Sequence, residues 1–322
     1  MSRRVSSGAV PRGESLAERV GEGVVRLEGP ADILRAAPRL GAVLAVTSNE
    51  QVVLEKVGCY GNVSISQDRG TVANHEIDLR LVMRHWRHAF AVKGVYPSLQ
   101  FFDGWGEPVH EIRALRSSDL VEFGKVIAEF ASPQQTKEWV TAGRPATLQA
   151  RPDGDVDREQ LHTQWSALQD THDFVRLLQK LSLDRHQALR LIGTEFANEV
   201  SNVAAKHMLL NAAAATMTIL VFAGNAGCLQ IHTGNVTNIL LEGHSLKIQD
   251  PSFAMRLCQD GIGSSWVVRK PTRDGVLTSL EVYDRTNQLV VQFYGARESG
   301  MPERQDWRGI LSRLPLSELQ PV

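Results

Sequence analysis

The sequence predicts an α+β fold made of two tandem pseudo-duplicated units, each a large antiparallel β-sheet with flanking helices. Three observations predict it. The chain has 322 residues, enough for two ordinary domains with full hydrophobic cores. Its two halves repeat at a fixed offset, which reveals architecture before any element is assigned. Within each half, short alternating or β-branched runs are separated by turn-forming residues, as in hairpin strands.

The repeat spans three blocks. "AVTSNEQVVLEKVGCYGNVSI" from Ala45 lies against "VFAGNAGCLQIHTGNVTNILL" from Val221, pairing Asn49 with Asn225 and Gly58 with Gly234 (225 − 49 = 234 − 58 = 176). The same shift lays "IDLRLVMRHWRHAFAV" on "FAMRLCQDGIGSSWVV", so Arg80 meets Arg256, Phe90 meets Trp266 and Val92 meets Val268. After a short insertion, "SLQFFDGWGEPVHEIRA" from Ser98 meets "SLEVYDRTNQLVVQFYG" from Ser279, with Asp103 on Asp284 (284 − 103 = 181). Three blocks in the same order point to a duplication.

Taken along the chain, "FFDGWGEP" and "VYDRTNQ" read as hairpin turns, one per unit. Helical periodicity is expected over Ser117 to Phe130 and again from Asp157 to about Leu210. Between them, Ser132 to Asp155 is rich in Pro, Gly and polar residues and reads as the joint, giving a first unit over 1–150 and a second over 151–322. "LQDTHDFVRLLQKL", Leu168 to Leu181, carries two apolar stripes at 100° per residue. Phe174, Leu177, Leu178 and Leu181 form one; Trp165, Leu168, His172 and Val175 form the other, and a core needs only one of them. In "LSLDRHQALRLIG" a further helix is expected, with Asp184 as its N-cap and Gln187 at its third position.

Composition narrows the functional classes. The balance of 35 Lys+Arg against 36 Asp+Glu gives a net charge of −1, which disfavours a general nucleic-acid or membrane-surface binder and makes any cationic site local. Cys59, Cys228 and Cys258 include no C-x-x-C pair and read as reduced thiols, so no structural zinc site is expected. The N-terminus lacks an apolar signal region and no run is long enough to span a bilayer, so the expected location is cytoplasmic. No Walker loop, G-x-S-x-G elbow or H-E-x-x-H is present, and "GNAG" at Gly224 to Gly227 is no dinucleotide fingerprint.

Three sets of residues stand out. His172 reads as a core histidine satisfied by hydrogen bonds, as a general acid or base, or as an axial metal ligand; the apolar stripe around it suits a flat hydrophobic ligand that carries a coordinating atom. "IDLRLVMRHWRHAF" holds Arg80, Arg84, His85, Arg87 and His88, either a solvated strand face or a site for carboxylate or phosphate. Lys270, Gln292, Tyr294 and Arg297 fall at or just beyond strand ends, and Lys270 and Arg297 could converge on one anion if their strands are neighbours.

"DTHDF" around His172, "GNAGCLQIHTG", "WVVRKPTRDGVLTSLEVYD" and "QFYGAR", with "EKVGCYGNV", "IDLR" and "SLQFFD" in the first half, resemble the bacterial hemin-degrading factor and haem-trafficking family. The resemblance covers about Arg39 to Arg297 and is more specific in the second half. It implies one haem b held mainly by the second unit, with His172 as axial ligand to iron and Arg80 on the distal side, the one position to which catalysis would fall. Lys270, Gln292 and Arg297, joined by Arg185, would hold the propionates. The implied activity is cytoplasmic haem carriage, storage or delivery, from an inner-membrane haem ABC transporter to a haem oxygenase, by a monomer or loose dimer. Ring cleavage of haem by the protein itself, with an external reductant, is the alternative, and haem-responsive DNA binding a third. One departure touches the first unit: where relatives often read T-R-N-E-H-A-V-H-E-K, this chain has "TSNEQVVLEK".

Overall fold

The computed structural model describes residues 12–140, 151–298 and 300–317, apart from the side chains of Thr171 and His172. The first half runs α1 (Arg12–Ala17), β1 (Val24–Leu27), α2 (Pro30–Ala36), β2 (Gly41–Ser48), β3 (Val52–Cys59), β4 (Val63–Ser66), β5 (Arg69–Ala73), β6 (Asp78–Val82), β7 (His88–Val92), β8 (Ser98–Phe102), β9 (Pro108–Ser118) and α3 (Leu120–Glu129). The second runs α4 (Arg158–Ser166), α5 (Thr171–Leu181), α6 (Arg185–Ile192), β10 (Ala197–Val200), α7 (Ala204–Ala214), β11 (Thr218–Gly224), β12 (Cys228–Asn235), β13 (Ile239–Glu242), β14 (Ser245–Asp250), β15 (Phe253–Cys258), β16 (Ile262–Thr272), β17 (Gly275–Asp284), β18 (Leu289–Gly295) and α8 (Gln305–Ser312).

Among the described residues the strands form two nine-stranded sheets. By compactness the chain divides into one unit of 1–48, 55–145 and 224–230 and another of 49–54, 146–223 and 231–322, so β3 and β12 are shared between the units. In the first unit β1, β7, β8, β9 and β2 lie side by side, and in the second β10, β16, β17, β18 and β11 do so in the same order. Their registers match residue for residue. Phe90 faces Gln100 and Val92 faces Ser98 in the first unit, while Trp266 faces Glu281 and Val268 faces Ser279 in the second. The repeated asparagines do the same work: Asn49 Oδ1 accepts from the amides of Gln51 and Val52, Asn225 Oδ1 from those of Gly227 and Cys228. The α+β expectation of two pseudo-duplicated sheet units with flanking helices therefore holds.

Strands β16, β17 and β18 bury apolar residues on both faces. In the second unit Val267, Leu280, Val282, Val291 and Phe293 pack with Met208, Leu209 and Trp307 of α7 and α8. The opposite face presents Trp266, Val268 and Tyr283 to Trp165, Phe174, Leu177 and Leu189 of α4 to α6. Asp184 caps α6 as expected, accepting from the amides of His186 and Gln187 at 2.9 and 3.1 Å. Among the described residues no helix is long and apolar enough to cross a membrane.

Two expectations need correction. The helical run from Asp157 to Leu210 is interrupted by β10, whose four residues pair with Ser265 to Val268 of β16; tertiary pairing at a sheet edge overrides the local helical tendency. Ser117 and Ser118 end β9, and α3 starts at Leu120 behind the N-cap Asp119. The segment read as a joint is docked over its first residues: Gln135 exchanges hydrogen bonds of 2.9 Å with the amide and carbonyl of Arg26 on β1, and Trp139 stacks with His88, ring centres 4.2 Å apart. That pairing covers an exposed strand edge. Residues 141–150 of the joint lie outside the described residues.

Candidate functional site

In the second unit the register aligns Trp266, Glu281 and Gln292 across β16, β17 and β18, and aligns Val268, Ser279 and Tyr294 two residues along. Cross-strand neighbours project to one face, so Lys270, Ser279, Glu281, Tyr283, Gln292 and Tyr294 share the face covered by α4 to α6. Glu281 is completely buried there.

Its carboxylate is crowded with donors. Oε1 accepts from Arg185 Nη2 at 2.7 Å, Lys270 Nζ at 2.6 Å, Gln292 Nε2 at 2.9 Å and Ser279 Oγ at 3.1 Å. Oε2 accepts from Arg185 Nε at 2.9 Å and from the Tyr283 hydroxyl at 2.7 Å. Arg185 is the first residue of α6, where the helix dipole disfavours a cation, so its place there depends on Glu281. The ring of Phe174 lies under both cations, 5.0 Å from the Arg185 guanidinium and 4.8 Å from Lys270 Nζ. Lys270 is only 2% exposed along its side chain, and Arg185 22%.

The protonation states follow from this geometry. Burial pushes the Glu281 carboxyl up, but Arg185 and Lys270 outweigh it and hold it well below the usual range. Burial would lower the Arg185 pKa, and the Glu281 charge reverses that. Burial, reinforced by Glu281, raises the Tyr283 phenol well above its ordinary value, keeping it a donor. The cluster thus carries two cations and one anion.

Of the residues singled out from sequence, Arg185, Lys270 and Gln292 converge here. His172 is the second residue of α5, two residues before Phe174; its side chain lies outside the described residues. Phe174 is nonetheless 1% exposed and lies against the cluster, so the first turn of α5 is anchored beside it. Arg297 does not join Lys270, because β17 separates their strands; it pairs instead with Asp274 Oδ2 at 3.1 Å and the Met301 carbonyl at 2.8 Å. Arg80 belongs to the other unit, on β6, where it pairs with Asp78 and is 46% exposed along its side chain.

The two-stripe reading of the histidine helix is corrected. One helix ends at Ser166 and the next starts at Thr171, so Trp165 and Leu168 are not on the helix of His172. Trp165 packs edge-on to Phe174, ring centres 4.7 Å apart, its Nε1 donates to the Arg269 carbonyl, and Val175 is exposed. Trp165 and Leu168 therefore join Phe174 and Leu177 in one core. Glu281 and Tyr283 were missed; the available signal was a lone acid between Leu280 and Val282, in strict alternation with Ser279 and Tyr283.

A family model described as the haemin-degrading HemS.ChuX domain matches residues 9–130 and 182–314. The chain is 32% identical over 303 residues to the hemin transport protein HmuS of Yersinia pestis, covering 92% of this chain and 87% of that one. It is similar in structure to holo-PhuS, a heme-binding protein from Pseudomonas aeruginosa, with a TM-score of 0.93, 37% identity and coverage of 95% and 91%. ChuS, an E. coli heme oxygenase, superposes with a TM-score of 0.85 at 32% identity, covering 94% of this chain and 92% of that one. The duplicated sheets, the two matched regions and the full-length likenesses agree, and the chain belongs to the haemin-degrading HemS.ChuX family.

Proposed function

We propose that this chain binds haem b, mainly through its second unit, and carries it in the cytoplasm from an inner-membrane transporter to an acceptor such as a haem oxygenase. One observation supports this reading above the rest. Six donors converge on Glu281, whereas a carboxylate offers about four lone-pair sites. The cluster is thus crowded with donors and short of a negative charge, two cations facing one carboxylate, which fits a propionate. Arg185, Lys270 and Gln292 would take that propionate, with Arg297 serving the other. His172, in the first turn of α5, would ligate iron, and Phe174 would fix that turn. Haem itself supplies the redox-active iron; the chain supplies axial ligation, charge neutralisation and shielding. The assignment of Arg80 to the distal side rests on the match of "IDLR" to the family motif.

The test adds one equivalent of haemin and records the visible spectrum. A specific Soret shift that His172→Ala alters is expected, and an unchanged spectrum and affinity in that variant would sink the ligand assignment. The likeness to ChuS favours a second reading, ring cleavage by this chain. Ascorbate in air with catalase present separates the two: a carrier keeps its Soret band and yields haem to an acceptor protein, whereas an enzyme loses the band, more slowly in Arg80→Ala.

A further inference from the structure

Propionate binding explains Arg185, Lys270 and Gln292, and leaves Glu281 without a purpose. A fully buried acid in the middle of an anion site opposes the anion. Isolated, it would also be expensive to bury, so its presence calls for a role.

Three features define that role. The cluster sums to +1 with Glu281 ionised, and would reach +2 without it. Six donors crowd the carboxylate, and two of them also reach a second acceptor, Arg185 Nε the Tyr283 hydroxyl at 3.0 Å and Gln292 Nε2 the Tyr294 hydroxyl at 3.1 Å, so the set can turn to a further acceptor while Glu281 keeps most of its bonds. The two cations also share a contact besides Glu281, the Phe174 ring beneath both, and they stand on separate elements, α6 and β16. Glu281 is placed to subtract one charge.

We propose that Glu281 is a built-in counter-carboxylate, a positioning residue that leaves the Arg185–Lys270–Gln292 cluster able to take one further carboxylate and weakens its hold on it, so that the bound ligand is readily released. This rests on the haem reading above. The arrangement suits transfer better than storage, since the internal acid keeps the cations satisfied once the ligand carboxylate leaves.

The test measures release of iron protoporphyrin IX and of its dimethyl ester, which lacks ionised propionates, to excess apomyoglobin. Glu281→Gln removes the charge at nearly constant shape and should slow haem release about tenfold, leaving the ester unaffected. Glu281→Asp keeps the charge and should restore near-native release. Gln292→Glu acts in the opposite direction and does not depend on Glu281→Gln folding: it supplies a second negative charge internally and should speed haem release about tenfold, again sparing the ester. Equal effects on haem and ester, or faster release from Glu281→Gln, would overturn the role of Glu281. If the unmodified protein releases haem and its diester alike, the propionate reading itself fails.

Discussion

The two units use one backbone plan and distribute their buried polarity on opposite sides of it. On the sheet face where the second unit gathers Glu281, Tyr283 and Gln292, the first has Gln100, Phe102 and Glu111 (281 − 100 = 283 − 102 = 292 − 111 = 181). Gln100 there only donates to Ser98 Oγ at 2.9 Å, Glu111 pairs with the partly exposed Arg113, and Gly94 stands where Lys270 would be (270 − 94 = 176). On the other face the contrast reverses. The first unit buries Thr47, Tyr60, His110, Cys228 and Gln230, where the second has Ala223, Val236, Val291, Val52 and Leu54. The polar set of the first unit closes on itself: the Tyr60 hydroxyl donates to His110 Nε2, Nδ1 donates to Thr47 at 2.8 Å, and Thr47 donates to Gln230 Oε1 at 2.7 Å. Every member of that chain has its partner. What separates a structural network from a binding site here is charge, because the first set is built of neutral groups and the second sets two cations against one carboxylate.

The largest test of this contrast truncates the centre of each polar face. Glu281→Ala leaves Arg185 and Lys270 buried without their carboxylate and should cost about 3–5 kcal/mol. Gln100→Ala, its counterpart, loses one hydrogen bond to a serine and should cost about 1 kcal/mol. Urea denaturation of the two variants compares them directly. Equal losses would mean that the charged cluster is no more integral to its unit than the neutral pair is to the other.

The closed network offers a second break. His110→Val installs the residue of the second unit, orphans the Tyr60 hydroxyl, and should cost about 2–3 kcal/mol. Adding Thr47→Ala, Tyr60→Val, Cys228→Val and Gln230→Leu completes the apolar set and should recover much of that loss, because replacing all partners removes the unsatisfied groups. The network also has a pH signature. Burial lowers the His110 pKa from 6.5 to about 3, so on acidification the unfolded chain takes up the proton first. The stability this neutral histidine contributes is complete above pH 6.5 and declines as the pH falls toward 3, by at most about 1.4 kcal/mol per pH unit. His110→Val should flatten that segment of the pH–stability curve; an unchanged slope would show that other groups set it.

Much of the fold was legible because it depends on local chemistry that repeats. Asn49 and Asn225, Asp103 and Asp284, and the hairpin turns announce themselves as residue types at fixed spacing. The site was half legible. Arg185, Lys270 and Gln292 were visible as cations and an amide, but their meeting point depends on strand register and on which helix covers the face. Glu281 looked like one more acid in a strand. Trp165 was misplaced because periodicity runs on through Ala167 to Asp170, where the chain leaves the helix. The expected convergence of Lys270 and Arg297 failed for a topological reason: adjacency in sequence across a hairpin placed β17 between them.

The smallest prediction sharpens the comparison where the units agree. Asp103 Oδ1 accepts from the amides of Trp105 and Glu107 at 2.8 and 3.0 Å, and Asp284 Oδ1 accepts from those of Thr286 and Gln288 at 2.7 and 2.9 Å. The same two offsets recur because each aspartate closes the same hairpin loop, taking up amides that the turn leaves without backbone partners. Asp103→Ala and Asp284→Ala should each cost about 1 kcal/mol and agree within about 0.5 kcal/mol in denaturant melts. Asp103→Asn and Asp284→Asn keep the accepting oxygen and should recover most of it. Agreement between the twins would locate the divergence of the units in the side chains that fill each face, with the turn framework energetically as well as geometrically shared. A twofold difference between them would show instead that each face has changed what its own turn is worth.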